Sequence, residues 1–123
     1  MMRYLADFTM LTDHGLPLVS VKGAIDANNV LAFKAVVECA NATGAPAIIV
    51  MLGTTEYVCA RAYGILAAAY GRLANDNRRL LVACHPDSYP RRMMSLLQLP
   101  FPIFDSVAEA VADVVRRNLR IAR

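Results

Sequence analysis

The side chains that most often perform chemistry are few in this sequence, and their spacing matches no metal or catalytic motif. The two histidines, His14 and His85, have no second metal-ligating residue three or four positions away, which is the spacing that helical metal sites use. Cys59 and His85 could pair across neighbouring strand ends as a hydrolase nucleophile and its base. A thiol between Val58 and Ala60 is more simply a core residue, so we expect neither a metal site nor catalytic residues.

A phosphate-binding loop is also disfavoured. The best candidate, residues 53–58, has one glycine and no lysine, whereas a phosphate cradle needs several glycines and a lysine. The three cysteines, Cys39, Cys59 and Cys84, are odd in number and widely spaced among apolar neighbours. We expect them to be buried thiols in a reducing compartment, with no disulfide framework. The sequence therefore predicts a protein that is not an enzyme and that needs no cofactor.

Length and composition favour one domain over residues 1–123. The chain is 57% hydrophobic, which argues against disorder, and no apolar run approaches the ~20 residues that span a bilayer. Its start lacks the order of a secretory signal, so we expect a cytoplasmic protein that is not bound to a membrane. Residues 61–123 carry ten arginines against five acids, which suits an acidic partner. These arginines are scattered and lack interleaved aromatics, so nucleic acid is not expected.

Hydrophobic periodicity predicts the order β-β-α-β-α-β-α-β-α. The predicted strands are 4–11, 16–23, 47–52, 80–84 and 103–104, and the predicted helices are 29–43, 60–74, 89–97 and 106–119. Alternating strands and helices indicate an α/β fold with a mixed, mostly parallel sheet of four to five strands and about four helices. The unbroken run 47–52 suits a central strand, with the helices that begin near Asn29 and Ala60 side by side on one face. Asn29 can cap the first helix, and Ser106 with Glu109 can form a capping box on the last.

Three strings in this order resemble the STAS domain of bacterial anti-sigma factor antagonists, stressosome proteins and sulfate transporters. A strand that ends in Gly-x-hydrophobic-Asp is matched by residues 19–26, and the family's third strand and following loop are matched by residues 48–52 and 59–66. The family's final strand and Ser-x-x-Glu-Ala helix are similar to residues 101–110. The resemblance covers residues 3–118 and implies a STAS-like (SpoIIAA-like) fold.

One departure from the family falls at its phosphorylation site. Where the family has Asp-Ser-Ser-Gly, this chain has Cys59, Ala60, Arg61 and Ala62. The hydroxyl that a partner kinase phosphorylates would fall at Arg61 or Ala60, and neither accepts phosphate. The nearby hydroxyls of residues 54, 55 and 57 match no acceptor position. The resemblance thus implies a signalling protein that binds partners without the usual serine switch.

Two functions remain open at this point. The first is a non-catalytic protein-interaction regulator of transcription, resembling an anti-sigma factor antagonist or a stressosome scaffold. Its partner would be an anti-sigma factor, a histidine-kinase-like serine kinase or another STAS protein, and a homodimer stays open. The alternative is a domain that senses a small ligand, a nucleotide, lipid or anion, with its pocket in the loops 53–61 and 84–92.

Both loops should leave the same edge of the sheet, because both follow parallel strands. We expect the partner surface to include Thr54, Thr55, Glu56, Tyr57, Ala60, Arg61, Tyr63, Arg91 and Arg92. A cation in the first turn of a helix is unfavourable, by about 0.3–1 kcal/mol. The Arg61 side chain should therefore either extend into water or bind an acidic partner or an anion. In the free protein, Glu56 could neutralise its charge.

Overall fold

The computed structural model describes the backbone of residues 7–121 and, except at Asp7, Thr54 and residues 118–121, their side chains. The strands are β1 (Asp7–Asp13), β2 (Leu16–Lys22), β3 (Ala47–Thr54), β4 (Arg79–Ala83) and β5 (Ile103–Phe104). The helices are α1 (Val30–Ala42), α2 (Ala60–Asn75), α3 (Tyr89–Leu96) and α4 (Val107–Ile121). Within this described part of the chain, no helix combines the length and apolar character that a membrane span requires.

The five strands form one sheet in the order β1-β2-β3-β4-β5. β1 pairs antiparallel with β2, and the remaining neighbours are parallel. β3 lies at the centre, with Ile49 beside Leu18 on one side and Leu81 on the other. The predicted mixed, mostly parallel sheet with four helices is confirmed. Because β2, β3 and β4 run parallel, their carboxyl ends meet at one edge, which we call the carboxyl edge.

Each face of the sheet has its own apolar core. One core is formed by α1, α2 and α3 against the sheet, with Phe33, Leu66 and Met94 buried among residues of β2, β3 and β4. The helices α1 and α2 pack side by side on this face, as predicted. The other face is covered by α4, whose Ala110, Val111 and Val114 pack on a second set of strand residues: Leu16, Leu18, Ala47, Ile49, Leu81 and Ala83.

A charged cluster fixes α4 to the sheet. Arg79 at the start of β4 donates a 2.8 Å hydrogen bond to Asp113 on α4, and Arg117 donates one of 3.2 Å. Partial burial opposes ionisation of Asp113, but the hydrogen bonds and charges of Arg79 and Arg117 outweigh it and hold the pKa of this carboxyl below its usual range. The bonds therefore favour the ionised form, which ties α4 to the sheet.

The predicted boundaries hold to within a few residues, with one correction to the capping. Residues 4–6 of the first predicted strand lie outside the described residues. Asn29 occupies the N-cap position of α1, but its side chain makes no capping bond. It instead accepts from the Asp26 backbone N–H at 2.9 Å and donates to the Ala24 carbonyl at 3.0 Å, so it holds the preceding loop. The predicted bond from the Glu109 backbone N–H to the Ser106 hydroxyl is present at 3.2 Å.

Candidate functional site

The loop before α2 is held by the loop before α1. The backbone N–H of Ile25 donates to the Tyr57 carbonyl at 2.8 Å, and that of Cys59 donates to the Ile25 carbonyl at 2.9 Å. Ile25 is fully buried, and Gly23 adopts a φ of +84°, which glycine tolerates far better than residues with a side chain. These bonds give the loop 55–59 a fixed path across the carboxyl edge.

This path delivers Arg61 to the first turn of α2. Cys59 is the N-cap residue, with an extended backbone and no side-chain capping bond, and no acidic residue lies in the first turn. Arg61 is the second residue of the helix and is exposed. Across the described residues, Arg61 makes no ion pair, so the expected neutralisation by Glu56 is absent. The turn therefore presents an uncompensated cation.

The second loop, between β4 and α3, is ordered by its own hydrogen bonds. The hydroxyl of Ser88 accepts from the Arg91 backbone N–H at 3.3 Å and caps α3. The Arg91 side chain donates to the Cys84 carbonyl at 3.2 Å and to the Asp105 carboxylate at 2.9 Å. Arg91 thus joins the end of β4 to the loop before α4, whereas Arg92 is exposed. Of the two arginines predicted for the partner surface, Arg91 is thus already paired within the fold, and Arg92 makes no ion pair among the described residues.

The two loops come together through an aromatic pair. The rings of Tyr57 and Tyr89 stack with centroids 6.0 Å apart and planes 27° apart. Tyr57 remains 47% exposed, and the end of α3 exposes Leu96 and Leu97. The prediction that both loops lie at one edge agrees with this contact. The edge therefore carries the exposed ring of Tyr57 on the loop that leads to Arg61, whereas Leu96 and Leu97 lie at the opposite end of α3 from Tyr89.

Two predicted surface residues lie inside the fold. Thr55 is buried and its hydroxyl donates to the Val21 carbonyl at 3.3 Å. Tyr63 is only 3% exposed and belongs to the core under α2. Neither side chain can contact a partner in this structure, so both are removed from the predicted surface. Glu56, Tyr57, Ala60, Arg61 and Arg92 are exposed, and Thr54 has no described side chain.

The hydroxyl of Tyr63 is buried without a hydrogen-bond partner among the described residues. Burial raises the pKa of this phenol well above its usual range, and the neighbouring tyrosines and thiols add to the effect. An unpaired buried hydroxyl weakens the fold, because it has lost its water without gaining a protein partner.

We therefore expect Tyr63→Phe to leave the free energy of unfolding unchanged or to raise it by up to about 1 kcal/mol. Urea denaturation of the purified protein measures this. Tyr57→Phe is the matched control, since it removes a hydroxyl from an exposed ring and should change stability by less than about 0.5 kcal/mol. A clear loss of stability in Tyr63→Phe would show that the hydroxyl is paired in solution.

The remaining reactive side chains do not converge. Cys84 is buried, and burial raises the pKa of its thiol, while Cys59 is half-buried and Cys39 is exposed. The expectation that all three thiols are buried is therefore wrong for Cys39, which lies on the outer side of α1. His85 is exposed, and its ring Nδ1 accepts from the Asp87 backbone N–H at 3.1 Å. Within residues 7–121, no group of three His, Cys, Asp or Glu side chains is placed to hold a metal ion.

Comparison with known proteins identifies the fold through structure. No family model matches the sequence, and no curated protein matches it. An anti-sigma factor antagonist from Mycobacterium paratuberculosis superposes with a TM-score of 0.81 at 25% identity, over 89% of this chain and 94% of that one. The chain has the STAS (SpoIIAA-like) fold.

Two more distant structures share this fold. The anti-sigma factor antagonist SpoIIAA in its unphosphorylated form has a TM-score of 0.69 at 18% identity, over 89% of this chain and 98% of that one. A candidate anti-sigma factor antagonist from Thermotoga maritima has a TM-score of 0.77 at 18% identity, over 87% and 93% of the two chains. At these identities the likeness concerns the fold, which agrees with the resemblance drawn from the sequence.

Sequence reasoning missed the aromatic pair at the carboxyl edge of the sheet. Tyr89 lies in the predicted loop 84–92 but is not among the residues predicted for the partner surface, although it follows β4 just as Tyr57 follows β3. Two tyrosines in loops that leave adjacent parallel strands are a usable signal, because such loops lie side by side. Ser88, which caps α3, was missed as well, although a serine before Tyr-Pro is a typical helix start.

Proposed function

We propose that this STAS domain is a non-catalytic, cytoplasmic regulator that binds a protein partner at its carboxyl edge. The stacked rings of Tyr57 and Tyr89, of which Tyr57 is 47% exposed, support this, since aromatic residues are enriched in protein interfaces. The partner class is suggested by the structural neighbours, which are described as anti-sigma factor antagonists. An anti-sigma factor, a histidine-kinase-like serine kinase or another STAS protein fits this proposal.

The observation that carries the proposal is the exposed, unpaired Arg61 in the first turn of α2. The STAS resemblance puts the phosphorylated serine of classical antagonists at this turn. A fixed positive charge there replaces a charge that a kinase switches. Binding should therefore be insensitive to ATP and should weaken as salt rises, because exposed charges are screened within about 8–10 Å at physiological ionic strength.

The proposal is tested by affinity capture from the native cell, followed by quantitative binding to the captured partner. We expect Tyr57→Ala to weaken that binding about tenfold, as loss of a central interface aromatic typically does. Met10→Ala is the matched control, because the exposed fraction of Met10, 45%, is similar to the 47% of Tyr57, but Met10 lies on β1. Equal affinities of the two variants would place the partner elsewhere, and failure to capture any regulator of transcription would contradict the proposed function.

A small-ligand function has one supporting observation, the unpaired hydroxyl of Tyr63. Tyr63 belongs to the core that contains Cys84 and against which Cys59 packs, and these two residues border the two loops of the carboxyl edge. A small polar ligand that entered between the two loops would supply the hydrogen bond that this buried hydroxyl lacks. Native mass spectrometry of the protein purified from its own cell tests this alternative, which requires a mass above that of the chain.

A further inference from the structure

Four residues form a single row along the outer side of α2. They are Arg61, Ile65, Ala68 and Arg72, spaced four, three and four positions apart, which places them on one face of a helix. The two arginines are eleven positions apart, or about 16 Å along the helix axis. The row therefore has a cation at each end and small or apolar side chains between them.

This row forms one wall of an open groove of about 310 Å³ whose other wall includes Lys34 of α1. Arg61, Arg72 and Lys34 are all exposed, and the residues that line the groove include no acid. None of the three cations takes part in an ion pair within the part of the chain that the structure describes. The other clustered arginines are engaged: Arg78 bonds to Asn41, Arg79 to Asp113 and Arg91 to Asp105.

Gly64 lies in the same groove, and internal packing does not require a glycine there. A Cβ built on Gly64 meets no atom within 4 Å, and its φ is not in the left-handed region. A glycine inside a helix costs about 1 kcal/mol relative to alanine. The absence of a side chain at Gly64 deepens the groove, so the backbone of a bound partner can approach α2 closely.

From these contacts we infer that the α1–α2 groove is a docking surface for an acidic amphipathic helix of a protein partner. Carboxylates about three turns apart on that helix pair with Arg61 and Arg72. A carboxylate facing α1 pairs with Lys34, and apolar side chains cover Ile65 and Ala68. A third helix laid between two packed helices follows the ridges-into-grooves geometry that helical proteins use.

The groove favours a protein helix over a nucleic acid or a small molecule. It contains no aromatic side chain on which a base could stack, and its floor is small and apolar. It is open along its length and lined mostly by exposed residues, whereas small-molecule sites bury most of their ligand. Charge complementarity therefore favours an acidic partner surface. A helix lying along the groove can place carboxylates three turns apart, which matches the spacing of the two arginines.

This inference rests on the proposed function, since it names the partner's chemistry, but it can fail separately. The probe is a displayed library of 18-residue amphipathic helices panned on the full chain, with the selected peptide then measured by fluorescence anisotropy. We expect selection of acidic residues about eleven positions apart with small or apolar residues between. Arg72→Glu and Lys34→Glu should each weaken the peptide about 3- to 10-fold, more at low than at high salt.

Gly64→Leu tests the groove without changing charge. It should weaken the peptide at least tenfold by filling the floor, while the fold is retained. Gly71→Leu is the matched control, because a Cβ on Gly71 also meets nothing within 4 Å and Gly71 does not line the groove. Circular dichroism of both variants confirms that α2 is intact.

Several results would overturn the inference: no acidic selection, equal binding by Gly64→Leu and Gly71→Leu, or tighter binding of a single-stranded oligonucleotide that Arg72→Glu abolishes. If a captured native partner loses affinity with Tyr57→Ala but not with Arg72→Glu or Gly64→Leu, the proposed function stands and the groove inference fails. If selected peptides depend on the groove while no native partner depends on Tyr57, the edge proposal fails and the groove inference stands.

Discussion

Replacing Ile49 by aspartate should abolish folding of the domain. Ile49 is fully buried at the centre of β3, the central strand, and packs under α4. An unpaired carboxylate there loses its hydration and meets only apolar neighbours, so the charged form costs several kcal/mol. That is a large part of the 5–15 kcal/mol by which domains are stable. Thermal unfolding by circular dichroism should show no cooperative transition in Ile49→Asp at neutral pH.

The control for this result is Leu31→Asp. It makes the same chemical change at a leucine of α1 that is 60% exposed, so the melting temperature should stay within a few degrees of the wild type. Unfolding of Ile49→Asp near pH 4 separates the effect of the charge from the effect of the changed side-chain shape. Protonation of the buried carboxyl removes its charge and should restore part of the stability. An unchanged melting temperature in Ile49→Asp would show that β3 is not the centre of the fold.

The position of β3 could be predicted because its sequence leaves little choice. Residues 47–52 are apolar without a break, which only a strand covered on both faces tolerates, and helices flank it along the chain. The end of α1 was similarly clear from Gly44, which adopts a φ of +77°. Local pattern thus specified both the elements and their order.

The burial of Tyr63 could also have been predicted from the sequence. Leu66, Ala69 and Leu73 are buried along one stripe of α2, and stepping back along that stripe from Leu66 reaches Ala62 and Tyr63. Tyr63 was placed on the surface because the functional motif lay beside it, although helical periodicity already assigned it to the core. The structural pattern should have outweighed the motif.

The role of Arg91 could not be read from the sequence. Its side chain donates hydrogen bonds to the Cys84 carbonyl and to Asp105, which lies fourteen residues further along the chain, between β5 and α4. Which acid an arginine meets depends on how β4, α3 and β5 pack, and no local pattern encodes that. The same holds for the groove, because Lys34 and Arg72 become neighbours only when α1 and α2 pack side by side.

The second large effect is expected from Arg61→Ser. In wild type, partner binding should be indifferent to kinase and ATP, because the first turn of α2 offers no hydroxyl at the position of the STAS acceptor. Thr55, the nearest serine or threonine whose side chain is described, is buried and bonded to Val21. Arg61→Ser restores an exposed hydroxyl at the start of a helix, where backbone N–H groups favour a phosphate.

Phosphorylation of that serine would change the charge of the turn by about three units relative to arginine, since a phosphate carries about −1.5 to −2 at neutral pH. We expect the variant to take up one phosphate and to release its partner when kinase and ATP are added. Arg61→Ala is the control, since it removes the cation without supplying an acceptor and should stay insensitive to ATP. Intact mass spectrometry counts the phosphate, and pull-down with and without ATP measures release. Two results would contradict the proposal that Arg61 makes partner binding independent of phosphorylation. The first is phosphate uptake and partner release by the wild type, and the second is an Arg61→Ser variant that binds the kinase normally but does not respond to ATP.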